Sequence, residues 1–171
     1  MMNILLTEVQ PEDIPLYKKT MQAAFQQGFE EVFGPTDQMI LPESDIDASL
    51  KADGAIAYKA VVDGDIAGGA VGVIDERNKR HELALLFVKP EAQGKGIGTT
   101  MWFEIERRHS DAVSWETCTP YFDQRNIHFY VNVCGFHIVE FFHEHHPMDN
   151  MTEDFAGDGG QGMFAFRKQM R

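Results

Sequence analysis

The chain has 171 residues, and its 43% hydrophobic and 25% charged residues are the balance of a globular protein with one sizeable core. The formal net charge of −12 disfavours a nucleic-acid partner, because phosphate backbones are bound by clustered Lys and Arg side chains. Since no apolar run approaches the roughly 18 residues of a membrane span and the N-terminus lacks a signal-peptide pattern, we expect one cytoplasmic domain over residues 1–171, without membrane attachment.

The first half of the chain is predicted to contain one strand, two helices and a β-hairpin. Apolar residues recur at helical spacing in the segment 8–34, after the breaker Pro15 and before Gly34-Pro35. Ser44 or Asp45 is the predicted cap of the second helix, and Asp63-Gly64 is a good hairpin turn. The predicted elements are, in order, a strand over 3–7, a helix inside 8–34, a helix from 44 or 45 to about 53, strands over 55–62 and 66–75, and a polar turn over 75–80.

A glycine-rich turn, Gln93-Gly94-Lys95-Gly96-Ile97-Gly98, separates a predicted strand over 83–88 from a predicted helix over 99–109. Such a turn exposes backbone N–H groups at the positive end of the helix dipole, and glycine lets the backbone approach phosphate oxygens closely. Its spacing fits neither the dinucleotide fingerprint nor the nucleoside-triphosphate loop. A tight strand-to-helix connection without a ligand is the alternative.

A second segment combines polar side chains with a glycine cap. After a predicted strand over 112–117, a short helix carries Asn126 and Tyr130 and ends at Gly135-Phe136, where glycine is the usual left-handed cap. A strand over 137–142 and a last strand follow, joined by a long polar loop. Residues 143–149 hold three histidines and two carboxylates but lack the paired histidines of a helical zinc site, so we expect no metal.

Together, the Q-x-x-G-x-G turn and the Asn-Tyr-Gly-Phe segment resemble the two signatures of the GNAT superfamily of N-acetyltransferases. The resemblance covers nearly the whole chain and is most specific from Leu83 to Phe136. It implies an α+β (three-layer α/β) fold, in which a mixed, mostly antiparallel sheet of about seven strands is flanked by about four helices. It also implies that the central pair of strands splays apart.

The resemblance assigns a coenzyme A site to the glycine-rich turn and the strand before it. In the family, the turn binds the pyrophosphate, pantetheine pairs with main-chain groups of the strand edge, and an Asn contacts the cofactor. The matching residues are Leu86, Phe87, Val88, Gln93, Gly94, Lys95, Gly96, Ile97, Gly98, Thr99, Asn126 and Tyr130. Lys89 and Lys95 are also available to the anionic cofactor.

The family reaction is a direct attack of an amine on a thioester, without a covalent enzyme intermediate. Tyr130 matches the residue that can protonate the departing thiolate. For the base we favour Glu82, because family members often place a carboxylate near that strand start; His81, on the opposite face, and water alone are the alternatives. Cys118 and Cys134 are expected to be buried, reduced thiols, and a nucleophilic role is disfavoured.

The sequence therefore predicts an N-acetyltransferase that uses acetyl-CoA as the acyl donor and a small-molecule or peptide amine as the acceptor. A catalytically silent module that binds or senses acyl-CoA is the alternative, and another acyl donor stays open. Residues 26–53 are expected to shape the acceptor site, and the acidic net charge weakly favours cationic acceptors. Neither observation names the acceptor, and a homodimer is left open.

Overall fold

The computed structural model describes residues 2–149 and 162–171, and the predicted α+β fold is confirmed in them. The strands are β1 (Ile4–Glu8), β2 (Ala55–Val62), β3 (Asp65–Val73), β4 (Arg80–Val88), β5 (Ser114–Pro120), β6 (His137–Phe142) and β7 (Met163–Gln169). The helices are α1 (Ile14–Phe33), α2 (Glu43–Lys51), α3 (Ile97–Arg108) and α4 (Gln124–His128), which continues as a π-helical segment, Phe129–Cys134. Residues 150–161 of the predicted polar loop lie outside the described residues.

The sheet has the strand order β1-β2-β3-β4-β5-β7-β6, and its neighbours are antiparallel except for the central pair, β4 and β5. These two strands are parallel and pair over three positions, from Arg80 opposite Ser114 to Glu82 opposite Glu116. Beyond Glu82, β4 stays paired with β3 and β5 stays paired with β7. The two halves of the sheet therefore diverge, and this confirms the predicted splayed pair.

Two apolar clusters cover the two faces of the sheet. On one face, Trp102 of α3 packs edge-on against Trp115 of β5, with 5.2 Å between the ring centroids. On the other face, Tyr17 of α1 lies edge-on to Phe87 of β4, and its hydroxyl donates to the carbonyl oxygen of Tyr58 at 3.0 Å. Burial of such large side chains is the main stabilising contribution of both layers, and it fixes β4 between them.

Close approach of α1 to the sheet requires a glycine in β3. A Cβ at Gly69 would lie 2.6 Å from the Tyr17 ring and 2.8 Å from the Phe87 ring. Real side chains do not tolerate such contacts, so the helix would have to move away from the strand. Gly69 therefore sets how closely the α1 layer covers β4, the strand that carries the predicted site.

Several elements begin earlier or end later than predicted. α1 begins at Ile14, so Pro15 lies in its first turn. Backbone N–H groups in a first turn have no acceptor within the helix, so the N–H that proline lacks costs no hydrogen bond there. β4 begins at Arg80, because Arg80 and His81 already pair with β5, before the pairing with β3 begins at Glu82. α3 begins at Ile97, which makes the end of the predicted glycine turn its first turn. β5 extends to Pro120 because β7 pairs along its length. Within residues 2–149 and 162–171, no helix combines the length and apolarity needed to cross a bilayer.

Candidate functional site

The glycine-rich turn presents an open backbone cradle at the start of α3. Gly94 and Gly96 have φ values of +78° and +80°, and Gly96 caps the helix in the left-handed conformation. The first α3 bond runs from the Thr100 N–H to the Gly96 carbonyl oxygen, so the amides of the preceding residues point out of the helix end. A Cβ at either glycine would meet nothing within 4 Å. This open, electropositive turn fits the pyrophosphate of coenzyme A.

Three cavities line the gap between the diverging strands. The loop cavity, about 210 Å³, lies between the end of β4, the glycine-rich turn and α4. The strand cavity, about 320 Å³, lies between β4 and β5 beside α2, and the helix cavity, about 370 Å³, lies between α1 and α4. Leu86 and Asn126 line all three. The cavities are therefore neighbouring parts of one cleft that follows the open edge of β4.

The cleft brings most of the predicted site residues together. The loop cavity is lined by Leu86, Phe87, Val88, Gln93, Gly94, Gly96, Ile97, Gly98, Thr99 and Asn126. Tyr130 and Glu82 line the strand cavity instead. Lys95 is exposed and outside the lining of all three cavities, and Lys89 lies 3.6 Å from the Glu91 carboxylate. The two lysines are therefore peripheral to the cavities in this structure.

The main-chain groups of β4 alternate between β3 and the open edge. The Lys89 N–H donates to Ala67 of β3, whereas the Val88 carbonyl accepts a 3.1 Å bond from the Gln93 side chain beside the turn. Alternation then turns the main-chain groups of Leu86 and Val88 toward the cleft and those of Phe87 toward β3. Of the three predicted positions, Leu86 and Val88 are placed to pair with an extended ligand.

Tyr130 lies in the π-helical segment after α4, and its side chain is 3% exposed. Its carbonyl accepts from the N–H groups of Gly135 and Phe136, which closes the segment at the predicted left-handed glycine. Burial raises the pKa of the Tyr130 phenol, and the neighbouring Thr117 hydroxyl opposes that rise. The phenol is thus protonated at neutral pH and can donate a proton into the strand cavity.

Glu82 and His81 lie on opposite faces of β4, as strand alternation predicts. The Glu82 side chain is solvent-accessible in the strand cavity, where partial desolvation, followed by repulsion from Glu116, raises the pKa of its carboxyl. A carboxylate with a raised pKa is a better proton acceptor for an amine.

His81 is buried away from the cleft. Its ring lies 5.0 Å from the Trp115 ring, and its Nδ1 accepts a 3.1 Å bond from the Asp75 N–H. Burial lowers the pKa of His81. The geometry therefore favours Glu82 over His81 as a group that can meet an acceptor.

A polar network joins α4 to the glycine-rich turn, and sequence reasoning missed three of its members, Asp123, Thr119 and Arg125. Asp123 caps α4 by accepting the Asn126 N–H at 3.1 Å, and the Asn126 side chain lies 3.3 Å from the Thr119 hydroxyl. Arg125 donates to the side-chain oxygen of Gln93. Arg125 lines both the loop and the helix cavities. Its position immediately before Asn126 was the available signal, because it puts a cation beside the second motif.

The two cysteines differ, and the expectation for Cys118 is wrong. Cys134 is buried as predicted, but Cys118 is exposed in the strand cavity, because β5 extends past it along the open side of the cleft. Desolvation and the neighbouring carboxylates, first Glu82 and then Glu116, raise the pKa of the Cys118 thiol to about 11. A thiol with this pKa is a poor nucleophile near neutral pH.

Two histidines of the histidine-rich segment, residues 143–149, make contacts with residues close to them in the sequence. His143 and His146 form an isolated β-bridge, and the His146 ring lies 2.7 Å from the Glu140 carboxylate. Met148 lines the strand cavity, so this loop does contribute to the cleft. Among the residues that the structure describes, no group of three or more His, Cys, Asp or Glu side chains is arranged to hold a metal ion.

Comparison with known proteins agrees with the fold and the cleft. The sequence model described as "Acetyltransferase (GNAT) family" matches residues 17–136. The uncharacterized protein YrkN of Bacillus subtilis (strain 168) is 42% identical over 156 residues, which are 91% of this chain and 84% of that protein.

Solved structures with low sequence identity share the fold. The PaiA N-acetyltransferase of Thermoplasma acidophilum, in complex with coenzyme A, matches with a TM-score of 0.73 at 16% identity, over 98% of this chain and 99% of that one. The spermidine N-acetyltransferase of Vibrio cholerae, in complex with coenzyme A and spermine, matches with a TM-score of 0.68 at 14% identity, over 98% and 95%. The family match over residues 17–136 shows that the chain belongs to the GNAT family of acetyltransferases, and its glycine-rich cleft agrees with this.

Proposed function

We propose that the whole chain is one acetyl-CoA-dependent N-acetyltransferase domain that acts on a primary amine of a small molecule or peptide. The observation that carries the proposal is the single cleft along β4, in which Leu86 and Asn126 connect the glycine-rich turn to the cavity of Glu82 and Tyr130. A donor bound at the turn and an acceptor bound beside Glu82 would meet near Leu86. The expected cytoplasmic location stays a prediction.

Donor binding would use backbone groups more than side chains. The amides of the turn and of the first α3 residues would hold the pyrophosphate, while the open edge at Leu86 and Val88 would hold the pantetheine arm. Gln93 supports both regions, because it accepts from Arg125 and donates to the Val88 carbonyl. Acetyl-CoA supplies the thioester carbonyl that is attacked and the thiolate that leaves.

The acceptor amine must lose a proton before it can attack, because amines are mostly protonated at neutral pH. Glu82, whose pKa is raised by desolvation and by Glu116, would accept that proton directly or through water. As the C–N bond forms and the C–S bond breaks, the Tyr130 hydroxyl would give a proton to the sulfur. The electron pair of the broken bond stays on sulfur. The ammonium loses two protons in becoming an amide: the first would go to Glu82, and the second, released from the nitrogen as the C–S bond breaks, would return to the Tyr130 oxygen through water. One proton then ends on the sulfur, and one is released from Glu82 to solvent.

Two-substrate initial-rate kinetics test the direct attack. We measure free thiol while varying acetyl-CoA and an amine together, and we expect intersecting double-reciprocal lines, which indicate a ternary complex. Parallel lines would contradict the proposal, because they indicate a covalent acetyl-enzyme. Cys118→Ser serves as the control variant, since a thiol intermediate would lose activity on this change and direct attack would not. Tight acetyl-CoA binding without thiol release for any amine would favour the silent binding module.

A further inference from the structure

The strand cavity has largely apolar walls. Six apolar residues from five separate parts of the chain line it, and they are Phe25, Ile40, Leu41, Leu85, Met148 and Met163. Its volume is about 320 Å³, at the small end of ligand pockets. An apolar ligand body gains free energy from these walls, whereas a hydrated polar chain loses hydrogen bonds there.

The charged side chains in the cavity lining are both acidic. They are Asp45 of α2 and Glu82 of β4, and no Lys, Arg or His is among the described lining residues. Two other carboxylates of α2, those of Glu43 and Asp47, form ion pairs with Lys18, each at 2.7 Å. Within residues 2–149 and 162–171, neither Asp45 nor Glu82 has a side-chain ion pair. The cavity therefore complements a cation.

We propose that the acceptor is a primary amine on a compact apolar body, about one ring joined to a two- or three-carbon linker. This inference rests on the proposed function, since the same cavity receives the acceptor. A cavity of about 150 Å³ lined by Leu, Ile and Phe holds benzene. The strand cavity is about twice that volume, and part of it receives the acetyl end of the donor. A ring with a short linker fills the remainder, with its ammonium between Asp45 and Glu82.

The same features disfavour two other classes of amine. An α-amino acid places its carboxylate next to Asp45 and Glu82, and like charges in one site repel by several kcal/mol. A polyamine places a second ammonium against the apolar wall, where a charge without a partner is strongly destabilised. Both classes carry the reactive amine, so the difference lies in binding at the cavity wall.

A panel of acceptors with the full chain and acetyl-CoA tests the inference. Phenethylamine and phenylalanine differ by one carboxylate, and spermidine has no apolar body. We expect phenethylamine to be acetylated with a kcat/KM about 100-fold above the values for both others. A kcat/KM for spermidine or phenylalanine equal to or above the value for phenethylamine would overturn the inference and leave the proposed function intact.

Asp45→Asn tests the charge, with Asp47→Asn as the matched control. The first change removes a carboxylate from the cavity lining, and the second removes one from the same helix outside the lining. We expect Asp45→Asn to raise the KM for phenethylamine by about 10-fold with kcat little changed, because one ion pair is lost. Asp47→Asn weakens the contact with Lys18, which keeps its ion pair with Glu43, and should leave both constants unchanged. Equal KM values for the wild type and Asp45→Asn would overturn the role of Asp45.

A binding measurement separates failure of the inference from failure of the function. If no amine releases thiol, the proposed function is wrong, and calorimetric titration of phenethylamine and phenylalanine into the protein saturated with coenzyme A decides the inference. Binding of phenethylamine but not of phenylalanine, weakened by Asp45→Asn, supports an acidic, apolar site for the acceptor. Equal binding of both compounds, or of neither, overturns it.

Discussion

Replacing Gly96 by Asp would place a carboxylate in the cradle that we assign to the donor pyrophosphate. The position has φ +80° and a Cβ there meets nothing within 4 Å, so the change is accommodated without a steric clash. Asp visits the left-handed region at a penalty of about 1 kcal/mol, so the protein should still fold. A carboxylate roughly 6 Å from one phosphate charge repels it by about 3 kcal/mol at an effective dielectric constant of about 20. Since each 1.4 kcal/mol is about tenfold, the affinity for acetyl-CoA should fall by about 100-fold.

Calorimetric titration of acetyl-CoA into the folded variant measures this loss. Gly64→Asp is the matched control, because Gly64 also has a positive φ, +83°, with nothing within 4 Å, and lies in the turn between β2 and β3, outside the linings of all three cavities. It introduces the same charge and similar backbone strain away from the turn. We expect the control to bind as the wild type does. Equal affinities for Gly96→Asp and the wild type would refute the assignment of the pyrophosphate to this turn.

Three further predictions concern protons. Tyr130→Phe should lower kcat by about 10-fold to 1000-fold with little change in the acetyl-CoA dissociation constant, and an unchanged kcat where chemistry limits the rate would reduce Tyr130 to a packing residue. Glu82→Gln should lose most activity at pH values below the pKa of the amine and recover as rising pH deprotonates the acceptor; a constant ratio of wild-type to variant kcat/KM across pH would exclude Glu82 as the base. Burial lowers the pKa of His81 in the folded protein, so the unfolded chain binds more protons below about pH 6.5, and stability should fall as pH drops from about 6.5 toward the lower folded value. Urea unfolding at several pH values measures this loss, which His81→Phe should reduce; an equal pH dependence in both proteins would contradict the assignment to His81.

Local sequence signals predicted the features that depend on single residues or short spacings. Gly96 and Gly135 adopt the left-handed conformations that their positions at helix ends require. The alternation of His81 and Glu82 placed them on opposite faces, because side-chain direction along a strand has a period of two residues. These features depend on the backbone conformation of a few neighbouring residues, so they do not require knowledge of distant contacts.

Features that depend on distant pairing were less accessible from the sequence. The exposure of Cys118 follows from the divergence of β4 and β5, and no local pattern records where two strands separate. The contact between Arg125 and Gln93 joins two motifs that are far apart in the chain. The register of β4 shifts between Leu83 and Leu85, and this irregularity depends on pairing with β3. Tertiary contacts therefore decided these parts of the site.

The strand cavity, too, depends on segments that are distant in the sequence. Its apolar lining residues come from α1, the segment before α2, β4, the segment after β6 and the start of β7. No contiguous sequence motif therefore describes it. The sequence indicated only that residues 26–53 shape this region, and Ile40, Leu41 and Asp45 do line it. The residues that line the cavity could be identified only from the three-dimensional structure, which brings these segments together.

The transfer of an acetyl group from acetyl-CoA to an amine is the most direct test of the account. Mass spectrometry can follow the acetylated amine while a thiol reagent follows free coenzyme A in the same reaction, with the wild type and Gly96→Asp compared side by side. We predict that the wild type forms the two products in equal amounts and that Gly96→Asp forms far less of both at limiting acetyl-CoA. Tight binding of acetyl-CoA by the wild type, with no acetylated amine from any compound of the panel, would contradict the account.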